Sequence, residues 1–323
     1  MTLRLGLLGA SRIAPKAVID PALGRDDVAV AAVAARDLGK AQAYAAEHAI
    51  PAAVEGYAAL LARDDVDAVY SALPPAEHLE WARAAAEAGK AQLVEKPFAA
   101  NAAQAQAMVA AAGAAGRPLL EAFHYRFHPA FLTLKHWVAD GRLGRLRRAS
   151  ATFDAEIAER PGELRWIRPL GGGALMDLGC YALHALRTLL DAEPQVVEAR
   201  CDVRSGVDAA TRARLAFGEV EATLACDMTR PRSARLVLEG DRGRAEFDNY
   251  VSPHAFGCLT FTAADGTAQE APRDPRPTYA FQLDQLVEVC AGRAAPLTGG
   301  LDAVDQMRAI DAIYAAGGLG PIG

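Results

Sequence analysis

The stretch Leu3-Arg4-Leu5-Gly6-Leu7-Leu8-Gly9-Ala10-Ser11-Arg12-Ile13-Ala14 decides how the rest of the chain is read. Leu3–Leu8 is a short apolar run that reads as a buried strand, Gly9 as a turn, and a helical run starts near Ile13. Counted from Gly9 the pattern is G-x-S-x-x-A, a degraded form of the dinucleotide fingerprint G-x-G-x-x-G. That fingerprint requires a tight turn, close backbone approach to a pyrophosphate, and amides facing negative charge at a helix start. Gly9 meets the first requirement, Ser11 trades backbone freedom for a hydroxyl, and Ala14 is small enough for helix–strand packing. Gly9, Ala10, Ser11, Arg12 and Ile13 are therefore the expected pyrophosphate turn. A glycine turn between strand and helix also occurs without any nucleotide, so the surrounding pattern has to decide.

That pattern is an alternation of strands and helices through residue 122. Strands are expected at Val28–Ala34, Asp67–Ser71, Gln92–Glu95 and Pro118–Glu121. Helices are expected at Leu38–His48, Glu77–Ala88 (stopped by Gly89) and Ala102–Ala115 (capped by Asn101). Such alternation predicts a parallel, doubly wound sheet covered on both faces, so residues 1–122 read as a Rossmann domain. Beyond Phe123 the rhythm changes. A helix over Pro129–Asp140, a strand over Leu146–Ala158 and a helix over Ala174–Leu190 precede a run of strands at Val196–Val203, Ala209–Phe217, Val220–Asp227, Ala234–Glu239, Arg244–Phe247 and Leu259–Thr262. Their short connections predict a mostly antiparallel open sheet, hence an α+β domain over 123–323. Helices Tyr279–Ala291 and Leu301–Ala316 close the chain, the last expected to pack back on the first domain.

With 323 residues, 52% hydrophobic and 23% charged, the composition is that of a soluble globular enzyme, although alanine inflates the apolar share. A formal net charge of −6 argues against a nucleic-acid partner. No stretch approaches the ~20 apolar residues of a membrane span, and Gly6 and Gly9 break the opening run too early for a signal peptide. Cys180, Cys201, Cys226, Cys258 and Cys290 contain no CxxC pair, which points to a reducing cytoplasmic setting and away from zinc. His124 and His128 share a helical spacing but lack acidic or thiol companions, so no metal is expected.

Three groups of residues carry chemistry. At the end of the second strand Arg36 precedes Asp37. A guanidinium there suits the 2′-phosphate of NADP, whereas an acid would suit the ribose of NAD. Asp37 alternatively caps the next helix, leaving NADP as the expected cofactor and NAD as possible. Glu95-Lys96-Pro97 ends a buried strand at the edge where open α/β sheets bind ligands, and a lysine there stabilises an alkoxide as hydride leaves carbon. Finally, Gly171-Gly172-Gly173 opens a helix on which Asp177, Tyr181 and His184 stand at i, i+4 and i+7, one face carrying an acid, a phenol and an imidazole. Tyr181 can take a proton from a substrate alcohol where a cation such as Lys96 lowers its pKa. His184 reads either as a substrate contact or as a hydrogen-bonded structural group, and Asp177 as a substrate ligand or a cap.

With those motifs in hand, the chain resembles the glucose–fructose oxidoreductase, inositol dehydrogenase and MocA family over essentially its whole length. The resemblance rests on Gly9–Ala14, Ala34-Ala35-Arg36-Asp37, Pro74-Pro75 followed by His78, Glu95-Lys96-Pro97 and Gly171–Tyr181. Within the family it is most similar to NADP-dependent dihydrodiol dehydrogenases and D-xylose-type 1-dehydrogenases. The resemblance implies that Lys96 is the catalytic lysine, Tyr181 the proton-transfer residue and Asp177 a ligand of substrate hydroxyls. It further implies a cofactor pocket drawing on Ala35, Arg36, Ala72, Leu73, Pro74, Pro75, His78, Glu95 and Arg126, with Trp166 and Arg168 approaching the cofactor. His124 and His184 join the expected substrate contacts. Ser11 and Ala14 depart from the family's glycines, and His124–His128 departs around the pocket, so no relative's substrate carries over.

The expected activity is reversible hydride transfer between a nicotinamide and a hydroxyl carbon of a sugar, cyclic polyol or dihydrodiol. The resemblance also implies a homodimer or dimer of dimers through the open face of the second sheet, which the six expected strands would suit. The alternative is a non-catalytic NADP-binding sensor, which would keep Gly9 and Arg36 but have no need of Lys96, Asp177 and Tyr181 together.

Overall fold

The computed structural model describes residues 2–323. By internal packing the described residues form two units, one of residues 2–123 with 279–304, the other of 124–278 with 305–323.

In the first unit β1 (Leu3–Leu8), β2 (Val28–Ala35), β3 (Ala52–Glu55), β4 (Ala68–Ser71), β5 (Ala91–Val94) and β6 (Leu119–Glu121) form one sheet. Its order is β3-β2-β1-β4-β5-β6 and every pairing is parallel. This is the doubly wound Rossmann order, with its topological switch between β1 and β4. Burial on both faces follows from apolar runs without polar alternation. Leu5 and Leu7 enter one core with Tyr70 and Leu93, while Leu8 enters the opposite core with Leu60, Leu61 and Val69.

β3 and the helix Tyr57–Leu61 escape the sequence reading. Ala-Ala-Val-Glu is too short and too weakly apolar to signal a strand, and as the edge strand of the sheet it is only partly buried. The helical run expected near Ile13 is a five-residue π-helical turn, Pro15–Ile19, followed by one short turn, Asp20–Ala22. Pro15 and Pro21 explain the brevity, because neither can donate a backbone hydrogen bond.

Asp37 is the N-cap of the helix Leu38–Glu47, its side chain accepting from the Lys40 amide at 2.7 Å. Asn101 caps Ala102–Ala115 through the Gln104 amide at 2.9 Å. Loss of such a cap costs about 1 kcal/mol. Asp37→Ala is accordingly expected to destabilise the first unit by about that amount in urea-unfolding curves.

The second unit is built on an eight-stranded sheet. Its strands are β7 (Leu146–Asp154), β8 (Gln195–Arg204), β9 (Val207–Phe217), β10 (Val220–Asp227), β11 (Ser233–Gly240), β12 (Gly243–Asp248), β13 (Cys258–Ala263) and β14 (Ala268–Glu270). The order is β14-β13-β12-β11-β7-β10-β9-β8, antiparallel except for the parallel β7–β10 pair. β7 stops at Asp154, short of the expected Ala158, and the exposed β14 is an addition. Alternation on β7 turns Ala149, Ala151 and Phe153 inward, beneath the helix Cys180–Leu190, and leaves Arg148 outward. The outward face carries cross-strand ion pairs such as Arg235–Glu246 at 2.9 Å and Arg214–Glu198 at 3.1 Å.

A single unbroken second domain from 123 is not what forms. Residues 279–304 belong to the first unit, because Leu283, Leu286, Val287 and Val289 of the helix Thr278–Cys290 complete the core that holds Leu5 and Leu7. The returning helix is thus the penultimate one. The last helix, Leu301–Ala316, belongs to the second unit from Asp305 onward, where the Tyr314 hydroxyl donates to buried Asp208 at 2.8 Å. Among the described residues no helix is long and apolar enough to cross a membrane.

Candidate active site

In the first unit the expected cofactor residues gather at the C-terminal edge of the parallel sheet. Gly9 sits at φ +103°, a left-handed conformation that permits the tight turn. A side chain there would also press on Leu73 Cδ2 at 3.3 Å, so the turn is narrow as well as left-handed. The Ser11 amide donates back to Gly9 O at 3.0 Å, Tyr44 Oη donates to Ser11 O at 2.8 Å, and Ser11 Oγ accepts from the Ala14 amide at 3.2 Å. Ser11 therefore closes the turn itself, the part of its role that the hydroxyl reading leaves out. Ala10 and Ile13 pack on the core beneath, and Arg12 is exposed.

Arg36 projects from the end of β2 with 82% of its side chain exposed, its nearest acid being Glu77 at 4.0 Å. The neighbouring Asp37 is the helix cap, its Oδ1 accepting from the Lys40 amide. Ala35 lies beneath, its carbonyl accepting from the Gly56 amide at 2.8 Å. After β4 the chain runs through Ala72, Leu73, Pro74 and Pro75 into the helix His78–Glu87.

His78 does not stand where a cofactor ligand would. It is wholly buried, its ring nitrogens facing Phe98 O at 3.0 Å and Leu73 O at 2.8 Å. Burial lowers its pKa against the carbonyls, which favour the charged ring, and the ring stands between the loop after β4 and the segment after β5. Glu95 accepts from Tyr70 Oη at 2.5 Å and is fixed through its amide to Ser71 O at 2.9 Å. Lys96 follows it, half-buried, with a cis bond to Pro97. The Phe98 amide donates to the buried Glu121 carboxylate at 3.0 Å, so the Lys96 turn is held from both sides.

In the second unit the glycine cluster is a steric necessity. A side chain at Gly172 would lie 2.7 Å from Arg165 O and 2.8 Å from Ile167 N. Gly173, at φ +138°, leaves room for the Asp208 carboxylate. Asp208 accepts from the Leu175 amide, Thr211 Oγ1 and Tyr314 Oη, each at 2.8 Å. Burial raises its pKa against those three donors. Asp208 thus anchors the start of the π-helical turn Leu175–Gly179 and the helix Cys180–Leu190, and sequence reading misses it because it is a lone acid near the start of a strand, far in sequence from the glycine cluster. π-helical turns recur at functional sites, and this one carries Asp177.

Asp177 is partnered by Arg165, Nε to Oδ2 3.0 Å, and Arg165 also meets the buried Glu163 carboxylate at 2.9 Å. Asp177 above all raises the Arg165 pKa. Arg165 is a second omission from the sequence reading, although it adjoins the Trp166 and Arg168 singled out there.

Tyr181 is buried among the rings of Phe153 (5.4 Å between centroids), Tyr125 (5.9 Å) and His124 (5.7 Å). Its hydroxyl lies 3.2 Å from His124 Nε2. His184, expected on the same polar face, is instead 1% exposed and shares a 2.6 Å hydrogen bond through Nδ1 with Tyr125 Oη. Of the two readings this arrangement matches the hydrogen-bonded structural group. Arg126 is buried in the short helix His124–Phe127, its guanidinium 5.7 Å from the Phe131 ring. Trp166 Nε1 donates to Ile157 O at 3.0 Å, and Arg168 donates to Gly320 O and lies 4.7 Å over the Tyr314 ring. Trp166 thus spends its indole N–H, and Arg168 a guanidinium N–H, within the second unit. Among the described residues no group of three or more His, Cys, Asp or Glu is arranged to hold a metal.

A parallel sheet of Rossmann order with a glycine turn, followed by an antiparallel sheet whose covering helix carries an acid and a phenol, defines a dinucleotide-dependent oxidoreductase. The chain belongs to the GFO/IDH/MocA oxidoreductase family: the model described as an oxidoreductase family with an NAD-binding Rossmann fold matches residues 3–123, and the GFO/IDH/MocA C-terminal domain matches 131–246. It is 34% identical over 313 residues (96% of this chain, 95% of the relative) to D-xylose 1-dehydrogenase (NADP(+)) 2 of Haloferax volcanii. It is 32% identical over 294 residues (90% and 86%) to trans-1,2-dihydrobenzene-1,2-diol dehydrogenase of Sus scrofa. Among solved structures, a 3-ketoreductase of Actinomadura kijaniata in complex with NADP and TDP-benzene superposes with a TM-score of 0.90 at 28% identity, covering 98% of each chain. That ketoreductase has also been solved with a lysine replaced by alanine or glutamate and with a tyrosine replaced by phenylalanine.

Proposed function

We propose that the protein transfers a hydride between NADP and a hydroxyl-bearing carbon of a sugar, cyclic polyol or related diol, with Lys96 and Tyr181 acting on the substrate oxygen. The observation that carries this reading is the position of Lys96, at the end of β5 on the same sheet edge as the Gly9 turn, Arg36 and the loop Ala72–Pro75. Relatives named for NADP and for aldose or diol substrates support it.

The residues fit the cofactor. The Gly9–Ile13 turn offers backbone amides to a pyrophosphate, Ser11 retains a hydroxyl proton to donate, and Arg36 is exposed for a 2′-phosphate. When bound, the nicotinamide accepts or returns the hydride. Lys96 stabilises negative charge on the substrate oxygen as the carbonyl forms or collapses. Tyr181 receives the hydroxyl proton in oxidation and returns it in reduction. Arg165 holds Asp177 oriented, so that its carboxylate accepts hydrogen bonds from substrate hydroxyls. Glu95 and His78 set the Lys96 turn and the loop after β4.

We place the enzyme in the cytoplasm as a homodimer or dimer of dimers, joined through the outward face of the eight-stranded sheet, whose paired charges can be matched by a second copy. Light scattering on the purified protein tests the assembly, and a monomeric mass rejects it.

A screen of aldoses, cyclic polyols and trans-diols, followed by nicotinamide absorbance, tests the activity. Turnover of at least one class is expected; binding of NADPH with no turnover in either direction would instead favour a sensor. Arg36→Ala is expected to weaken NADPH about 10- to 100-fold, the loss of one charged hydrogen-bonding group, and to leave NADH nearly unchanged. Equal losses for both nucleotides would remove Arg36 from the 2′-phosphate site.

A further inference from the structure

Tyr181 does not end the polar chain that begins at its hydroxyl. His124 Nε2 lies 3.2 Å from Tyr181 Oη, and on the far side of the same ring Nδ1 lies 2.8 Å from Thr278 Oγ1. Tyr181, His124 and Thr278 are 5%, 3% and 0% exposed, so the chain is sheltered from solvent along its length. At its outer end the Thr278 amide donates to Nδ1 of half-buried His254 at 3.4 Å, in the loop that carries the exposed Phe256.

Each of the three groups can both donate and accept. A phenol, a neutral imidazole and an alcohol in series can therefore hold their protons in either sense: Tyr181 to His124 to Thr278, or Thr278 to His124 to Tyr181. A serine or asparagine at 124 would not offer two opposed ring nitrogens, one to each hydroxyl.

We infer that His124 is a proton relay behind Tyr181, with Thr278 fixing its ring, and that it is not a substrate contact. The inference rests on Tyr181 being the proton-transfer residue. In oxidation the substrate O–H bond breaks and its proton forms a new O–H bond on Tyr181. The original Tyr181 proton passes to His124 Nε2, and the carbon's hydride leaves for the nicotinamide. His124 then carries the released proton as an imidazolium, its Nδ1–H still held by Thr278 Oγ1, until product departure lets water reach Tyr181, through which the proton passes back out. In reduction the same bonds form and break in reverse order. Tyr181 thereby stays a neutral phenol before and after the step, and the charge rests on an imidazolium whose two N–H groups both face oxygen acceptors, Thr278 Oγ1 and Tyr181 Oη.

Three variants test this: Tyr181→Phe, His124→Gln and Thr278→Val, with His124→Asn and Thr278→Ser as companions. Each is assayed for NADPH affinity by fluorescence, for kcat and KM with a turned-over substrate, and for the solvent deuterium isotope effect on kcat. A relay predicts a fall in kcat of about 10- to 100-fold for His124→Gln, with KM and NADPH affinity nearly unchanged. It also predicts a smaller fall for Thr278→Val, recovery in Thr278→Ser, and a multi-proton isotope effect in the wild type that drops to one proton in His124→Gln. His124→Asn, too short to span both partners, should match the Gln variant. A rise in KM with kcat retained in His124→Gln would make His124 a substrate contact and overturn the relay. Full turnover in Tyr181→Phe would remove the role of Tyr181 itself, and the relay with it. A collapse in Tyr181→Phe beside normal His124→Gln kinetics would reject the relay alone.

Discussion

Replacing Lys96 with methionine is expected to lower turnover by about two or more orders of magnitude while leaving NADPH affinity close to that of the wild type. Methionine keeps the length and the apolar stem of the lysine and removes only its charge. The surrounding turn is fixed independently of that charge. The Glu95 amide is bound to Ser71 O at 2.9 Å, the Phe98 amide to Glu121 at 3.0 Å, and His78 faces Phe98 O and Leu73 O from below. The pyrophosphate turn at Gly9 and the exposed Arg36 lie on other loops of the sheet edge, so binding of the nucleotide has its own supports. The charge matters only when negative charge develops on the substrate oxygen, which places the loss in kcat. Steady-state kinetics paired with a fluorescence titration separates the two quantities, and near-normal kcat in the variant would end the assignment.

The largest structural effect is expected at Gly173. In Gly173→Ala the new methyl group would overlap Asp208 Oδ1 and lie 2.8 Å from Tyr314 Oη, at a φ of +138° that L residues rarely adopt. Relief requires moving Asp208, which accepts from the Leu175 amide, Thr211 and Tyr314 in a buried setting. Each buried donor left without its acceptor costs roughly 1–3 kcal/mol, so a total of about 4 kcal/mol or more is expected. That is a large part of the ~5–15 kcal/mol that stabilises a typical folded domain. The outcome is poor soluble yield or a melting temperature lowered by about 10 °C or more. Gly24→Ala separates the two causes, because Gly24 also has a positive φ (+71°) but nothing within 4 Å of an added side chain. Scanning calorimetry of both variants decides it: equal, small shifts would show that Asp208 is not the constraint.

The parallel sheet was legible because its strands are apolar runs ended by glycine, proline or a cap, and Asp37 and Asn101 announce the helices they begin. Arg36 was legible for a related reason, since a guanidinium at the end of the second strand matches a 2′-phosphate. What escaped depends on contacts between residues distant in sequence. Asp208 is an isolated acid in β9 until the glycine cluster, 35 residues earlier at Gly173, brings the Leu175 amide to it. Arg165 reads as a loop charge until it is seen against Asp177. The spacing of Asp177, Tyr181 and His184 suggested one polar face, yet Tyr125 follows from another segment and encloses His184, so periodicity alone placed that ring wrongly. His78 shows the same limit: its neighbours in sequence line the loop after β4, while its own ring is turned inward to hold the loop in place. The returning helix Thr278–Cys290 is marked by Leu283, Leu286 and Val287, but an apolar stripe does not say which core it joins.

The central claim, a nicotinamide dinucleotide site in the first unit selective for the phosphorylated form, is tested most directly by titrating the purified protein with NADPH and with NADH and following nucleotide and tryptophan fluorescence. Saturable binding of both, tighter for NADPH, is predicted from the Gly9 turn and the exposed Arg36. Failure to bind either nucleotide would contradict the account at its base.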